Sequence, residues 1–321
     1  MTSQPAGVGA EDRAQCARTV LMVRPAAFGA NPETAASNAF QSTRAATEGD
    51  REAARREFDA AVAALERAGV EVIVADDTAE PAKPDAVFPN NWLGLQHDGT
   101  AVLYPMLSPR RRLERRRELL GLLEGRGFAV RRVLDLTHWE SSGVALEGTG
   151  SMVLDHPAGI AYACVSPRTD ARPLAELGAA LGYRAHVFHA TGPAGEPVYH
   201  TNVLLCLGER FAVACLEAVA DAGERTRLRE SLAGRARELL ELTRPQMNAY
   251  AGNMLALSAA GEPVIALSTT AWAALTAMQR RTLEAHGTIV TAAVPTIERF
   301  GGGSLRCMLA EVFLPRGGEA G

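Results

Sequence analysis

The segment Phe300-Gly301-Gly302-Gly303-Ser304-Leu305-Arg306-Cys307-Met308 places a thiol directly after three glycines and an arginine. Three glycines let the backbone turn sharply and approach a ligand closely. A neighbouring guanidinium favours the thiolate, the reactive form of cysteine. The competing reading is a buried structural cysteine, the commoner fate of a free thiol. A cysteine nucleophile needs a base. His200, in Val198-Tyr199-His200-Thr201-Asn202-Val203, stands just ahead of an apolar run. His97, His138, His156, His186, His189 and His286 have no such setting. An orienting acid would complete the set. Glu147, in Leu146-Glu147-Gly148-Thr149-Gly150-Ser151-Met152, lies between an apolar stretch and a Gly-rich turn. The GTGS run lacks the lysine and following helix of a phosphate-binding loop. A fourth polar group is Pro84-Asp85-Ala86-Val87-Phe88-Pro89-Asn90-Asn91-Trp92. Taken singly, Asp85, Asn90, Asn91 and His200 are also what ordinary turns and caps contain.

These residues need a scaffold. Thr19–Val23, Val70–Ala75, Thr100–Tyr104 and Ala129–Leu134 read as short buried strands. Hairpins are expected at 152–154/160–165, 203–207/211–214 and 254–257/264–267. Arg184–Phe188, Thr288–Ala292 and Cys307–Leu314 are further strands. Helical spacing predicts helices over 49–68, 110–124, 172–181, 226–242 and 271–286. The rhythm is strand, strand, helix, strand over about 60 residues, repeated about five times. It places the chain in the α/β or α+β class. Residues 1–17 are small and polar and read as a disordered tail, with one domain over 18–321.

The bulk numbers narrow the function. The 321 residues are 47% hydrophobic and 22% charged, with a net charge of −4, so no general attraction to nucleic acid or anionic lipid follows. Five scattered cysteines, an odd number with no CxxC pair and no zinc spacing, argue against a disulfide framework or a structural metal. The N-terminus lacks a signal-peptide core, and no apolar run is long enough to span a membrane. A cytoplasmic enzyme without metal or cofactor is expected, acting on a small molecule. A second copy of the chain is the one macromolecular partner left open.

Together and in this order, the four polar segments resemble the pentein superfamily of guanidino-group-modifying enzymes. Its members include arginine deiminases, dimethylarginine dimethylaminohydrolases and amidinotransferases. Pro84–Phe88 is similar to the family's PDxVF segment, Leu146–Gly148 to its LEGGD segment, and Gly301–Cys307 to its C-terminal nucleophile segment. The resemblance implies a five-bladed α/β propeller of ββαβ units around a central site. It also implies Cys307 as nucleophile, His200 as general acid/base and Glu147 as the orienting acid. The chain departs from the pattern where guanidinium-handling members carry acids: Phe88 is followed by Pro89-Asn90-Asn91, and Gly148 by Thr149-Gly150. An amide offers both donor and acceptor, which matches a neutral ureido group. Met22-Val23-Arg24-Pro25, Asn31, Thr34-Ala35, Asn38, Phe40-Gln41 and Pro89–Trp92 also resemble the citrulline-hydrolase branch. The resemblance therefore implies hydrolysis of citrulline to ornithine, ammonia and carbon dioxide, with Asp85, Asn90 and Asn91 contacting substrate. Arg168, in a segment similar to the family's S-x-R-T, is the first choice for the substrate carboxylate; Arg110 or Arg111 is second. Arg24 and the loop 28–38 would cover the α-amino end. A guanidine hydrolase, an amidinotransferase and a non-catalytic binding protein are the alternatives.

Overall fold

The structure is a computed structural model that describes residues 13–35, 38 and 40–317. Its strands follow from short, β-branched, apolar runs. The clearest is β1 (Thr19–Arg24), of which Thr19 to Val23 are buried. It pairs in parallel with β2 (Glu71–Asp76) after helix α1 (Glu48–Arg67). Helix α1 opens on a capping box between Thr47 and Asp50, and buries Ala54, Phe58, Ala61 and Leu65 at helical spacing.

The same three-stranded unit occurs five times. Strands β3 (Leu93–Leu95) and β4 (Thr100–Leu103) are antiparallel, helix α2 (Glu118–Gly125) follows, and β5 (Arg132–Asp135) pairs in parallel with β4. Strands β6 (Met152–Asp155), β7 (Ile160–Cys164) and β8 (Arg184–Phe188) repeat this around α3 (Ala171–Leu181). Strands β9 (Leu205–Leu207), β10 (Phe211–Ala214) and β11 (Glu238–Glu241) do so around α4 (Ala222–Leu232). Strands β12 (Leu255–Ala259), β13 (Glu262–Ser268) and β14 (Thr288–Ala292) do so around α5 (Ala277–Glu284). The last unit is shared between distant parts of the chain, because β15 (Ala310–Val312) lies antiparallel to β1 and parallel to β3. Two units thereby merge into one six-stranded sheet, ordered β2-β1-β15-β3-β4-β5.

Several expectations are corrected. The helix expected over 110–124 is two pieces, Pro109–Arg112 and α2. The helix expected over 226–242 starts earlier and stops at Leu232. Arg235 and Ala236 then take positive φ, and the end of that stretch is strand β11. The helix expected over 271–286 breaks where Thr276 and Gln279 form a new capping box. Cys307 is not on a strand but in a 3₁₀ turn, Leu305–Met308, that precedes β15. Of the expected tail, residues 1–12 lie outside the described residues. Residues 13–17 are packed: the Gln15 side chain donates to Leu154 O at 3.0 Å, and Ser258 N donates to Ala17 O at 2.9 Å. Residues 36, 37 and 39, within and just beyond the expected cover loop, also lie outside the described residues.

Candidate active site

In each unit the chain makes a tight polar turn just before the first strand. The five turns are Pro89–Asn91, Gly148–Ser151, Thr201–Val203, the segment 250–253, and Leu305–Met308. The first two interlock: a Cβ on Gly148, at φ +49°, would come within 2.1 Å of Asn90 O. The Asn90 side chain donates to Thr149 Oγ1 at 3.3 Å. A side chain on Gly150 would strike Asn91 Nδ2 and His200 Nδ1. Glycine is needed here for close approach of neighbouring turns.

Glu147 and His200 meet directly. His200 Nε2 donates to Glu147 Oε2 at 2.9 Å, with both side chains buried. That bond sets the tautomer that leaves Nδ1 with its lone pair. Burial pushes the His200 imidazole down to about 4, against the opposing pull of Glu147. Burial alone would raise the Glu147 carboxyl, but Arg168, His200 and Arg111 together bring it down to about 2. The main chain holds Glu147 from behind: its N–H meets Ser151 Oγ at 2.7 Å, and Ser151 Oγ donates to Arg168 O at 2.7 Å.

Cys307 is packed under the glycine loop. Gly301 lies against the Phe88 ring, where a Cβ would come within 2.6 Å. Gly302, at φ +64°, ends the helix Pro295–Gly301. The Gly302 carbonyl accepts from Tyr199 OH at 2.6 Å and from Asn38 Nδ2 at 3.3 Å. Two amides reach the sulfur: Asn253 Nδ2 at 3.3 Å and Asn202 Nδ2 at 3.5 Å from Cys307 Sγ.

A small, partly open cavity lies among these groups. Its lining includes Asp85, Asn91, Arg111, Arg168, His200 and Cys307, with Thr34, Asn38 and Gly301 to Gly303 along the rim. Asp85 is buried, with Oδ2 accepting from Asn31 at 2.8 Å and Oδ1 without a partner. Arg111 is buried between acids. It grips Glu114 with Nε and Nη2 at 2.9 Å each, gives Nη1 to Asn91 Oδ1 at 2.9 Å, and stands 3.6 Å from Glu147 and 3.7 Å from Asp85. Burial raises the carboxyls of both Asp85 and Glu114, outweighing Arg111. Arg168 is 3.6 Å from Glu147, donates to Thr34 O at 3.0 Å, and lies over the Tyr199 ring.

The structure thus brings Cys307, His200, Glu147, Asp85, Asn91 and Arg168 together, with Asn90 bracing the turn behind them. It does not bring Arg110. That side chain is 45% exposed beside Glu33 and absent from the lining, while its neighbour Arg111 is inside. Arg24 is also outside, paired with Asp59 on an exposed surface. Asn202, Asn253, Tyr199 and Glu114 went unnoticed in the sequence. Internal comparison carries a signal for two of them: Asn91-Trp92-Leu93, Ser151-Met152-Val153, Asn202-Val203-Leu204, Asn253-Met254-Leu255 and Cys307-Met308-Leu309 are the same polar–apolar–apolar entry to a strand. Among the described residues, no group of three or more His, Cys, Asp or Glu is placed to hold a metal ion. No helix among them is long and apolar enough to cross a membrane.

The family model described as N,N dimethylarginine dimethylhydrolase, eukaryotic, matches residues 24–314. No curated protein matches the sequence. Among solved structures, apo ArgZ, an arginine dihydrolase from the ornithine–ammonia cycle in cyanobacteria, superposes with a TM-score of 0.71 at 16% identity. The match covers 93% of this chain and 41% of ArgZ, so the chain spans about two fifths of that protein. The N-terminal domain of ArgZ bound to product gives 0.70 at 17% identity, covering 92% of this chain and 99% of that domain. A dimethylarginine dimethylaminohydrolase variant, as its adduct with S-methyl-L-thiocitrulline, gives 0.61 at 14% identity, covering 92% of this chain and 99% of that one. At these identities the likeness is one of fold, a mixed α/β architecture.

Proposed function

The chain belongs to the N,N dimethylarginine dimethylhydrolase family of the pentein superfamily, and within that family we propose, from its own site residues, that it hydrolyses the ureido group of citrulline, giving ornithine, ammonia and carbon dioxide. One observation carries the choice of substrate: each acid at or behind the cavity already faces a buried guanidinium, and only Asp85 Oδ1 is left without a hydrogen bond. Asp85, Glu114 and Glu147 face the two buried guanidiniums of Arg111 and Arg168. A substrate guanidinium needs carboxylates with charge to spare, and here Arg111 occupies that place. Around the sulfur stand amides, Asn202 and Asn253, with Asn91 bonded to Arg111. A ureido group offers N–H donors and a carbonyl acceptor, the complement of an amide.

In this reading the thiol proton of Cys307 passes to His200 Nδ1, and the imidazolium is held by Glu147. The sulfur lone pair adds to the ureido carbon while the carbonyl π pair moves to oxygen. Collapse expels ammonia, which takes the proton from His200. Water, deprotonated by His200, then attacks the S-bound carbon. Sulfur leaves as thiolate, and the released carbamate loses carbon dioxide to give ornithine. Arg168 anchors the α-carboxylate. The five units stand around one axis as a five-bladed α/β propeller. That arrangement is supported by the identical strand order in each unit and by the packing against one another of the turns Pro89–Asn91, Gly148–Ser151, Thr201–Val203 and Leu305–Met308.

A guanidine hydrolase remains the second reading, because Asp85 Oδ1 is a buried acceptor without a partner and would take one guanidinium N–H. Ammonia and ornithine release from citrulline, arginine and dimethylarginine, with Cys307→Ala as control, decides between them. Turnover of arginine or dimethylarginine with citrulline at the level of the control would overturn the proposal.

A further inference from the structure

The fourth turn, residues 250–253, is tightly constrained. Tyr250 is a bulky, buried residue held at φ +61°, a conformation that costs energy for any side chain with a Cβ. Its hydroxyl is tied to Glu298 O at 3.3 Å. Gly252 is wedged so closely that a Cβ would lie 2.5 Å from Val203 O. Asn253 N donates back to Tyr250 O at 2.8 Å. These constraints fix one group, the Asn253 side-chain amide, which is 1% exposed.

The orientation of that amide is determined by its partners. Nδ2 donates to Asn202 O at 3.1 Å; a flipped amide would set Oδ1 against that carbonyl oxygen. The second N–H of Nδ2 is left for Cys307 Sγ at 3.3 Å, with Oδ1 farther away at 3.8 Å. Asn202 Nδ2 reaches the same sulfur at 3.5 Å. Two fixed N–H dipoles therefore face Sγ from the turns that precede β9 and β12.

We propose that Asn253, assisted by Asn202, is a catalytic residue that holds the Cys307 thiolate. When the S–H proton passes to His200 Nδ1, both electrons of that bond stay on sulfur, and the two amide N–H groups meet the charge in a buried site. Preorganised donors of this kind act without reorganisation at the moment of charge formation. The inference rests on Cys307 being the nucleophile of the proposed hydrolase, but its test needs no substrate.

Asn253→Asp keeps the shape of the side chain and replaces the donor with a carboxylate. The rate of alkylation at Cys307 by iodoacetamide, followed as a function of pH by mass spectrometry of the Cys307 peptide, reads the thiolate directly. At neutral pH the variant is expected to react about tenfold more slowly or worse, the worth of one hydrogen bond to a charged group. Its rate–pH profile should be displaced upward in pH. With citrulline, kcat falls and KM holds. Asn202→Asp leaves the Asn202 carbonyl in place and gives the same displacement, more weakly, so it serves if Asn253→Asp does not fold. A Cys307 alkylation profile identical to the parent's in whichever of these variants folds overturns the proposal. If the parent fails to turn over citrulline while the profile still moves, the substrate is wrong and the thiolate clamp stands.

Discussion

Glu147 Oε2 accepts the Nε2 proton of His200 at 2.9 Å inside a shell from which both side chains are closed off from solvent. The pair fixes which imidazole nitrogen faces the chemistry. Glu147→Gln keeps the size but loses the charge that balances an imidazolium, and it can present its NH2 to Nε2, which favours the wrong tautomer. A fall in kcat of about 10²–10⁴, the usual worth of general acid–base catalysis, is expected with an unchanged far-ultraviolet spectrum. Initial rates of ammonia release measure it. A variant within twofold of the parent would remove Glu147 from the mechanism.

Acid should destabilise the fold early. Burial drives His200 and His97 down to about 4 and His156 well below its ordinary value. The unfolded chain binds protons on these groups near pH 6.5 while the folded chain refuses them. The histidines' share of the stability is therefore full above about pH 6.5 and falls as pH drops from there towards 4, while the raised carboxyls of Asp85 and Glu114 act in the opposite sense above their ordinary range. Glu147, held at about 2, adds a further loss between its ordinary 4.5 and 2. Urea midpoints at about pH 4.5 and about pH 3.5, below the range in which Glu114 compensates, test this; equal midpoints would contradict it.

Gly148→Ala places a methyl group 2.1 Å from Asn90 O on a backbone at φ +49°. The steric and conformational strain should cost about 1–3 kcal/mol and pull apart the turns that carry Glu147 and Asn91. Thermal unfolding and turnover should fall together. Gly121→Ala, at a helical position with open space around it, is the matched control and should leave both intact or slightly raise stability.

The cysteines should separate cleanly by reactivity. Burial raises the thiols of Cys164 and Cys206 to about 12 and that of Cys215 to about 11, and Cys16 is raised as well. None of the four lines the cavity, whereas Cys307 does. Native protein is expected to take one equivalent of iodoacetamide, at Cys307, and the other four only after unfolding. Intact mass before and after urea gives the count, and rapid native labelling of any of the other four would contradict it.

Much of this architecture was legible in the residues. Thr19–Val23 is apolar and rich in β-branched residues, and Ile160–Cys164 is apolar throughout; runs this short and this apolar read as buried strands. Taken singly, Cys307, His200, Glu147 and Asp85 could each be an ordinary turn, cap or buried residue; they stood out because their segments, together and in order, resemble the pentein pattern. What was lost was lost for physical reasons. Glu238–Glu241 reads as the tail of a helix because its interrupted apolar pair suits either period, and only the parallel pairing with β10 decides. Asn202 and Asn253 look like turn residues, since nothing local shows that a sulfur from the far end of the sequence lies against them. Arg110 and Arg111 are indistinguishable as letters; the helical turn they share sends one to solvent and the other between three acids.

Strand β15 is the seam between two units, lying between β1 and β3, and the turn that enters it carries Cys307. The contacts it makes span most of the sequence, so they are among the slowest kind to form. The surroundings proposed for the reactive thiol, with Asn202 and Asn253 against its sulfur, are thus completed by the same long-range contact that stitches the sheet shut.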